Sequence, residues 1–208
     1  MRRLIATSLM LLILSPIIGC KSVESDHLIG EPLTSDQAEK FEGVWQFEDS
    51  VLHVKHVEGG RFVAAGLEWD DDGFEVEHME VVVTHHAGAR FLHVLAEEDE
   101  DEHDADDGET HAEAGDNDEE NTEADSRPWI IAGMLTRMES DVIVLNITDF
   151  DEFTGAVEAD ALQGEADEDG NTLHIQGDKQ ALDDLIDPEA LRQLFHIDKP
   201  IVIIRLSD

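Results

Sequence analysis

Between Val44 and Leu95 the chain changes character every second residue, the spacing of strands with one face turned to a core. Val51–Val57 is rich in β-branched residues, and Arg61–Trp69 sets Val63, Ala65, Leu67 and Trp69 on one side. Glu58-Gly59-Gly60, Asp70–Gly73 and His86–Ala89 carry the residues of tight turns between such strands. Phe74–Thr84 reads as one long strand whose apolar phase switches at His78-Met79, which predicts a bulge. Trp129–Arg137 and Asp141–Ile147 form a further hairpin, and the second of these is apolar on both faces, as a central strand is.

The period then lengthens. Phe150, Phe153 and Val157 stand at helical spacing and predict a helix over 150–162. A short strand over 171–176 follows, then a helix over 178–186 with Leu182, Leu185 and Ile186 inward. Asp187-Pro188 starts a second short helix carrying Leu191, Leu194 and Phe195. Pro200–Leu206 is the closing strand. Near the front, Thr34 and Gln37 have capping-box spacing for a short helix ending at Lys40. With no parallel β-α-β alternation, the expected class is mainly β (α+β): an antiparallel curved sheet or partial barrel with two or three short helices in the C-terminal half.

The pattern at the N-terminus is different. Arg2 and Arg3 precede an apolar stretch from Leu4 to Leu14, the build of a secretory signal. It ends in Ile17-Ile18-Gly19-Cys20, which resembles the lipobox of bacterial lipoproteins. That resemblance implies a signal peptide over residues 1–19, cleavage before Cys20, and acylation of its thiol and amine. Cys20 is the only cysteine in the chain, so no disulfide and no other thiol chemistry is expected. Lys21 stands where an Asp retains such proteins at the inner membrane, so the resemblance implies a bacterial cell-envelope protein anchored in the outer membrane. Residues 20–33 then read as a polar tether, and 34–208 as one β-rich domain interrupted by an acidic loop at 97–127.

Composition sharpens this picture. The formal net charge is −38, which argues against nucleic acid as a partner and favours cations or basic protein surfaces. Residues 97–126 hold 17 Asp or Glu, no Lys or Arg, and no apolar side chain but alanine. Such a segment cannot build a core and is expected to be disordered. His103 and His111 lie within it, and imidazoles among carboxylates offer weak, unorganised binding of divalent cations.

Other candidate chemistry is sparse. Gly43-Val44-Trp45 opens the first long strand after a short helix and is similar to the Gly-x-Trp of lipocalins. In that family the Trp plugs one end of a ligand-holding barrel, so the resemblance implies that Trp45 closes a small apolar cavity. The same early strand, the strands around Phe91–Leu95 and the late helix pair also resemble uncharacterised secreted or lipidated bacterial proteins, which implies no activity. His53 and His56 have odd spacing and should point to opposite faces. His85 and His93, on either side of the 86–89 turn, are candidates for a composite metal site. Glu165–Gly170 approaches a calcium loop but has Glu at the first ligand position and Gln176 at the last, so a turn is expected. No nucleophile elbow, P-loop, dinucleotide fingerprint or HExxH motif is present, and no catalytic residue or cofactor is assigned. The expectation is a non-enzymatic, lipid-anchored binding or structural module. The alternatives are a divalent-cation-binding lipoprotein and a lipocalin-like carrier of a small apolar ligand.

Overall fold

The structure, a computed structural model, describes residues 21–48, 50–70, 73–96, 127–139, 141–167 and 169–207. The signal-like segment, Cys20 and the acidic run with His103 and His111 lie outside the described residues.

Eight antiparallel strands close into a barrel. They are β3 (Gly43–Phe47), β4 (Ser50–Glu58), β5 (Arg61–Asp70), β6 (Gly73–His86), β7 (Ala89–Leu95), β8 (Trp129–Glu139), β9 (Val142–Ile147) and β12 (Ile201–Ser207). Each pairs with the next in chain order, and β12 returns to β3, with Ile203 opposite Phe47 and Arg205 opposite Trp45. Closure removes the free edges that an open sheet of this size would expose.

Inward and outward residues alternate along the strands, as the pleat requires, with the phase broken on β8, where the register shifts against β7 and β9. Phe62 and Ala64 are buried on β5, whereas Val63 points outward. The apolar side of this strand is therefore the reverse of the expected one; the single large aromatic Phe62 outweighs the longer row of smaller side chains. On β6, Val81 and Val83 face in, and Val76 is 60 % exposed. The phase switch read at His78-Met79 is real, but no bulge accompanies it. The β5–β6 register runs unbroken from Arg61↔Val82 to Asp70↔Gly73.

Two hairpins show how the register is set, one by a tight turn and one by strand pairing alone. At β6–β7, Ala87 (φ 48°) and Gly88 (φ 82°) both adopt left-handed backbone, the geometry of a two-residue turn that matches strand twist. At β7–β8 the strands flanking the acidic run pair with each other, Leu95 opposite Trp129, and the Ala96 N–H donates to the Pro128 carbonyl at 3.0 Å.

A second layer lies against the outside of β6, β7 and β8. It comprises α2 (Phe150–Glu158), α3 (Lys179–Leu185), α4 (Leu191–Leu194) and the strands β1 (Ser22–Ser25), β10 (Gly164–Ala166) and β11 (Thr172–Ile175). Helix α2 stops at Glu158, short of the expected 162; Asp160 follows in left-handed conformation. Asp149 caps α2 by accepting from the Asp151 and Glu152 N–H groups, and Asp178 caps α3 through the Ala181 N–H. Asp187 accepts from the Glu189 and Ala190 N–H groups at the turn leading into α4. The layer is held by Phe153, Leu182, Ile186 and Phe195 packed on Phe91, Ile131 and Met134 of the barrel wall. Phe195 meets Phe91 at 5.7 Å and Phe153 edge-on at 6.2 Å between ring centres.

The front of the chain departs from the sequence reading. Residues 22–33, expected to tether the domain, are part of it. β1 pairs parallel with β11 and antiparallel with β8, and β2 (Glu31–Pro32) pairs with β6. Val23, Ile29 and Leu33 are buried. Short strands spaced by charged residues look like polar linker in sequence; only the partners supplied by β11 and β6 give their apolar residues somewhere to go. The helix expected from Thr34 is a single turn, α1 (Ser35–Ala38), continued by a 3₁₀ turn over Glu39–Phe41. The Gln37 side chain accepts from the Thr34 N–H at 3.2 Å, as the spacing predicted.

Candidate functional site: an apolar cavity in the barrel

The barrel interior is lined at one end by Phe41, Trp45, Phe62 and Val83 and farther along by Leu52, Leu145 and Ile203. These side chains do not fill it. They leave about 140 Å³ in which the centre of a water-sized sphere can move. Eight strands give a barrel just wide enough to be filled by side chains or to hold one small ligand. Here Ala64 and Gly66 on β5 occupy positions where bulkier residues would take up the space.

One end is sealed. The chain enters through the 3₁₀ turn, whose Phe41 points into the interior, and β3 then brings Trp45 across the axis. The Trp45 indole N–H donates to the Phe41 carbonyl at 2.8 Å, so the ring is buried with its polar atom satisfied. Arg205 on β12 lies over the Trp45 ring, its guanidinium carbon 4.5 Å from the ring centre. It also donates to the Lys40 carbonyl. Strand β12 and the entering turn are thus clamped on either side of the indole.

The other end is lined differently. The lining reaches half-buried Ser50 and exposed Val51 beside the β3–β4 turn. Among the described residues Ser50 is the one lining residue with a hydroxyl. Residues 97–126 leave and rejoin the barrel at this same end, since Leu95 and Trp129 lie at the ends of β7 and β8 remote from the β6–β7 turn.

The histidines are spread apart. His53 points outward and His56 inward, as their spacing predicted; His56 packs on Phe62 at 5.5 Å and bonds the Gly59 carbonyl at 2.6 Å. His85 and His93 do not come together. His85 is exposed opposite Arg90, and its Nδ1 bonds the Glu31 carbonyl at 3.1 Å. His93 sits three rungs away opposite Val82, facing the outer layer. It is fully buried, bonded to the Thr84 hydroxyl at 3.3 Å, and its Nδ1 has no hydrogen-bond partner. Burial pushes its pKa down to about 3, so the ring is neutral. Among the described residues no three His, Cys, Asp or Glu side chains gather as a metal site. The Glu165–Gly170 segment ends β10 and turns: Asp167 accepts from the Thr172 and Asn171 N–H groups, which holds its carboxyl below the usual range.

Sequence reasoning found Trp45 but missed Arg205 and the cavity-forming Ala64 and Gly66. A lone arginine in the apolar run PIVIIRL is the signal for the first. Nothing local marks small residues as cavity walls rather than strand interruptions. Compared with models of protein families, with curated proteins and with solved structures, the chain finds no match, so its reading rests on this geometry.

Proposed function

We propose that this chain is a non-enzymatic, lipid-anchored envelope protein whose barrel binds a small, uncharged, apolar molecule. The observation that carries the reading is the cavity: apolar along its described lining, closed behind Trp45 and reaching Ser50 and Val51 at the β3–β4 end. A space of this order lined by aliphatic and aromatic groups stays dry, and an apolar guest of roughly benzene size or somewhat larger gains by entering it. Among the described residues no buried charge lines the cavity to receive an ionised headgroup, and Ser50 offers a single hydroxyl at the rim. The Gly43-Val44-Trp45 likeness to lipocalins supports the same reading, as the lipobox-like Ile17–Cys20 supports the anchor.

The test is titration of the purified domain with N-phenyl-1-naphthylamine, a small neutral fluorophore that brightens in apolar surroundings. Saturable binding at one site per chain is expected. Ala64→Leu, which places three more carbons in the cavity, should weaken binding at least tenfold with the melting temperature kept within a few degrees. Absence of saturable binding, or equal binding by Ala64→Leu, overturns the proposal.

A further inference from the structure

Among the described residues, the outside of the barrel is covered over β6–β8 and bare over β9, β12, β3 and β4. On the bare side Val202, Ile204 and Val51 are 49, 45 and 45 % exposed. The register sets Val202 beside Val144 on β9 and Ile204 beside Val142, and carries the face across the uncharged Gln46 on β3 to Val51 on β4, giving a largely apolar face over four strands. Isolated apolar residues on a surface mean little, but a contiguous patch marks a contact.

Its charge is the stronger signal. The chain has 51 Asp and Glu among 208 residues. Yet among the described residues no carboxylate takes an outward position on β9, β12 or β3, or on β4 short of Glu58 at its tip. The ionisable groups on the face are His53 and Lys55, both exposed. A basic partner would be met by carboxylates, which this chain has in excess and withholds here. A second copy would bring another −38 of charge against the first. A lipid surface is the contact that excludes carboxylates, accepts Val, Ile and Leu, and lets a lysine reach up to phosphate.

The attachment point agrees. Lys21 is fixed against the body, its Nζ 3.0 Å from Asp151 and 4.8 Å from the centre of the Phe150 ring. Phe150 opens α2 three residues after Ile147, where β9 ends, and β9 borders the bare face. Lys21 therefore lies beside that face, and it directly follows Cys20 in the chain.

From this we infer that the β9–β12–β3–β4 face lies on the bilayer that the acylated N-terminus enters. The inference rests on the lipid-anchor reading proposed above. In acylated protein Cys20 is blocked, so an introduced cysteine is a unique thiol. Ile204→Cys, Val51→Cys and, on the far layer, Glu189→Cys would each be labelled with bimane and bound to phosphatidylcholine vesicles with brominated acyl chains. Quenching of at least twofold at positions 204 and 51, with none at 189, is expected. Equal emission at all three positions in vesicle-bound protein, or quenching at 189 alone, overturns the inference. So does a stable dimer of unlabelled Cys20→Ala protein in lipid-free buffer that Ile204→Glu dissociates. Failure of the anchor reading shows separately, as a Cys20 thiol that reacts with maleimide in protein taken from cells. In that event Cys20→Ala protein held on nickel-chelating vesicles by an N-terminal His tag gives the same three readings and decides the face alone.

Discussion

The Arg205 guanidinium stacks on the Trp45 ring while bonding the Lys40 carbonyl, so the last strand of the barrel grips the turn through which the chain first enters it. A partly desolvated cation–π contact contributes roughly 1–2 kcal/mol and a charged hydrogen bond a similar amount. Arg205→Ala should therefore lower stability by about 2–3 kcal/mol in urea titration. Arg205→Lys should recover little of it, because an ammonium lacks the flat face that covers the indole. Equal stability of wild type and Arg205→Ala would show that the clamp is ornamental.

His93 ties stability to pH. Its pKa is lowered to about 3 in the folded chain against 6.5 for the free side chain, so the unfolded chain takes up a proton that the folded chain refuses. The neutral ring's contribution is complete above pH 6.5 and is lost progressively as pH falls toward 3. The slope approaches about 1.4 kcal/mol per pH unit within that window. Many carboxylates titrate in the lower part of it, so the check is a difference: unfolding free energies at pH 7.5 and 5 for wild type and His93→Leu. The variant should lose stability at pH 7.5, where the Thr84 hydroxyl is left without its partner, and show a shallower fall toward pH 5. Parallel curves would contradict the assignment.

The β6–β7 turn holds room for improvement. Ala87 adopts φ 48° beside Gly88 at 82°, and left-handed backbone costs an alanine about 1 kcal/mol. Asparagine tolerates that conformation and forms the favoured pair with a following glycine. Ala87→Asn should raise stability by about 0.5–1 kcal/mol, read as a higher urea midpoint with an unchanged slope.

Residues 97–126 hold 17 of the chain's carboxylates, yet the Ala96–Pro128 hydrogen bond already closes the hairpin. Replacing 97–126 with an Asn-Gly turn should leave a folded barrel that is more stable at low salt. The gain should shrink in 0.5 M NaCl as screening shortens the reach of the charges. Closing a short loop in place of one this long adds about 2 kcal/mol that salt should not remove. Loss of cooperative unfolding in the shortened chain would refute this.

The barrel was largely legible because period-two alternation and turn residues are local signals, and β4–β9 carry them plainly. The start of α3 at Asp178 was legible for the same reason, whereas Asp187, read as the cap of the next helix, instead holds the turn before it, and α4 begins at Leu191 behind Ala190. What escaped depends on partners distant in sequence. β1 is four residues that acquire meaning only beside Thr172–Ile175, and the inward side of β5 is decided by what faces Phe62 across the interior. At the cavity, Trp45 was found through its Gly-x-Trp setting. Ala64 and Gly66 were not, because an empty volume is a property of the whole ring of strands and no single residue announces it.

The pairing of β3 with β12 and of β1 with β11 joins segments from opposite ends of the chain. A polypeptide threaded N-terminus first through a translocation pore can therefore neither shut its barrel nor seat its outer layer until nearly all of it has passed. Long-range pairing of this kind is intrinsically slow to form. The same connectivity that seals Trp45 behind Arg205 thus keeps the polypeptide unlocked until its last strand emerges.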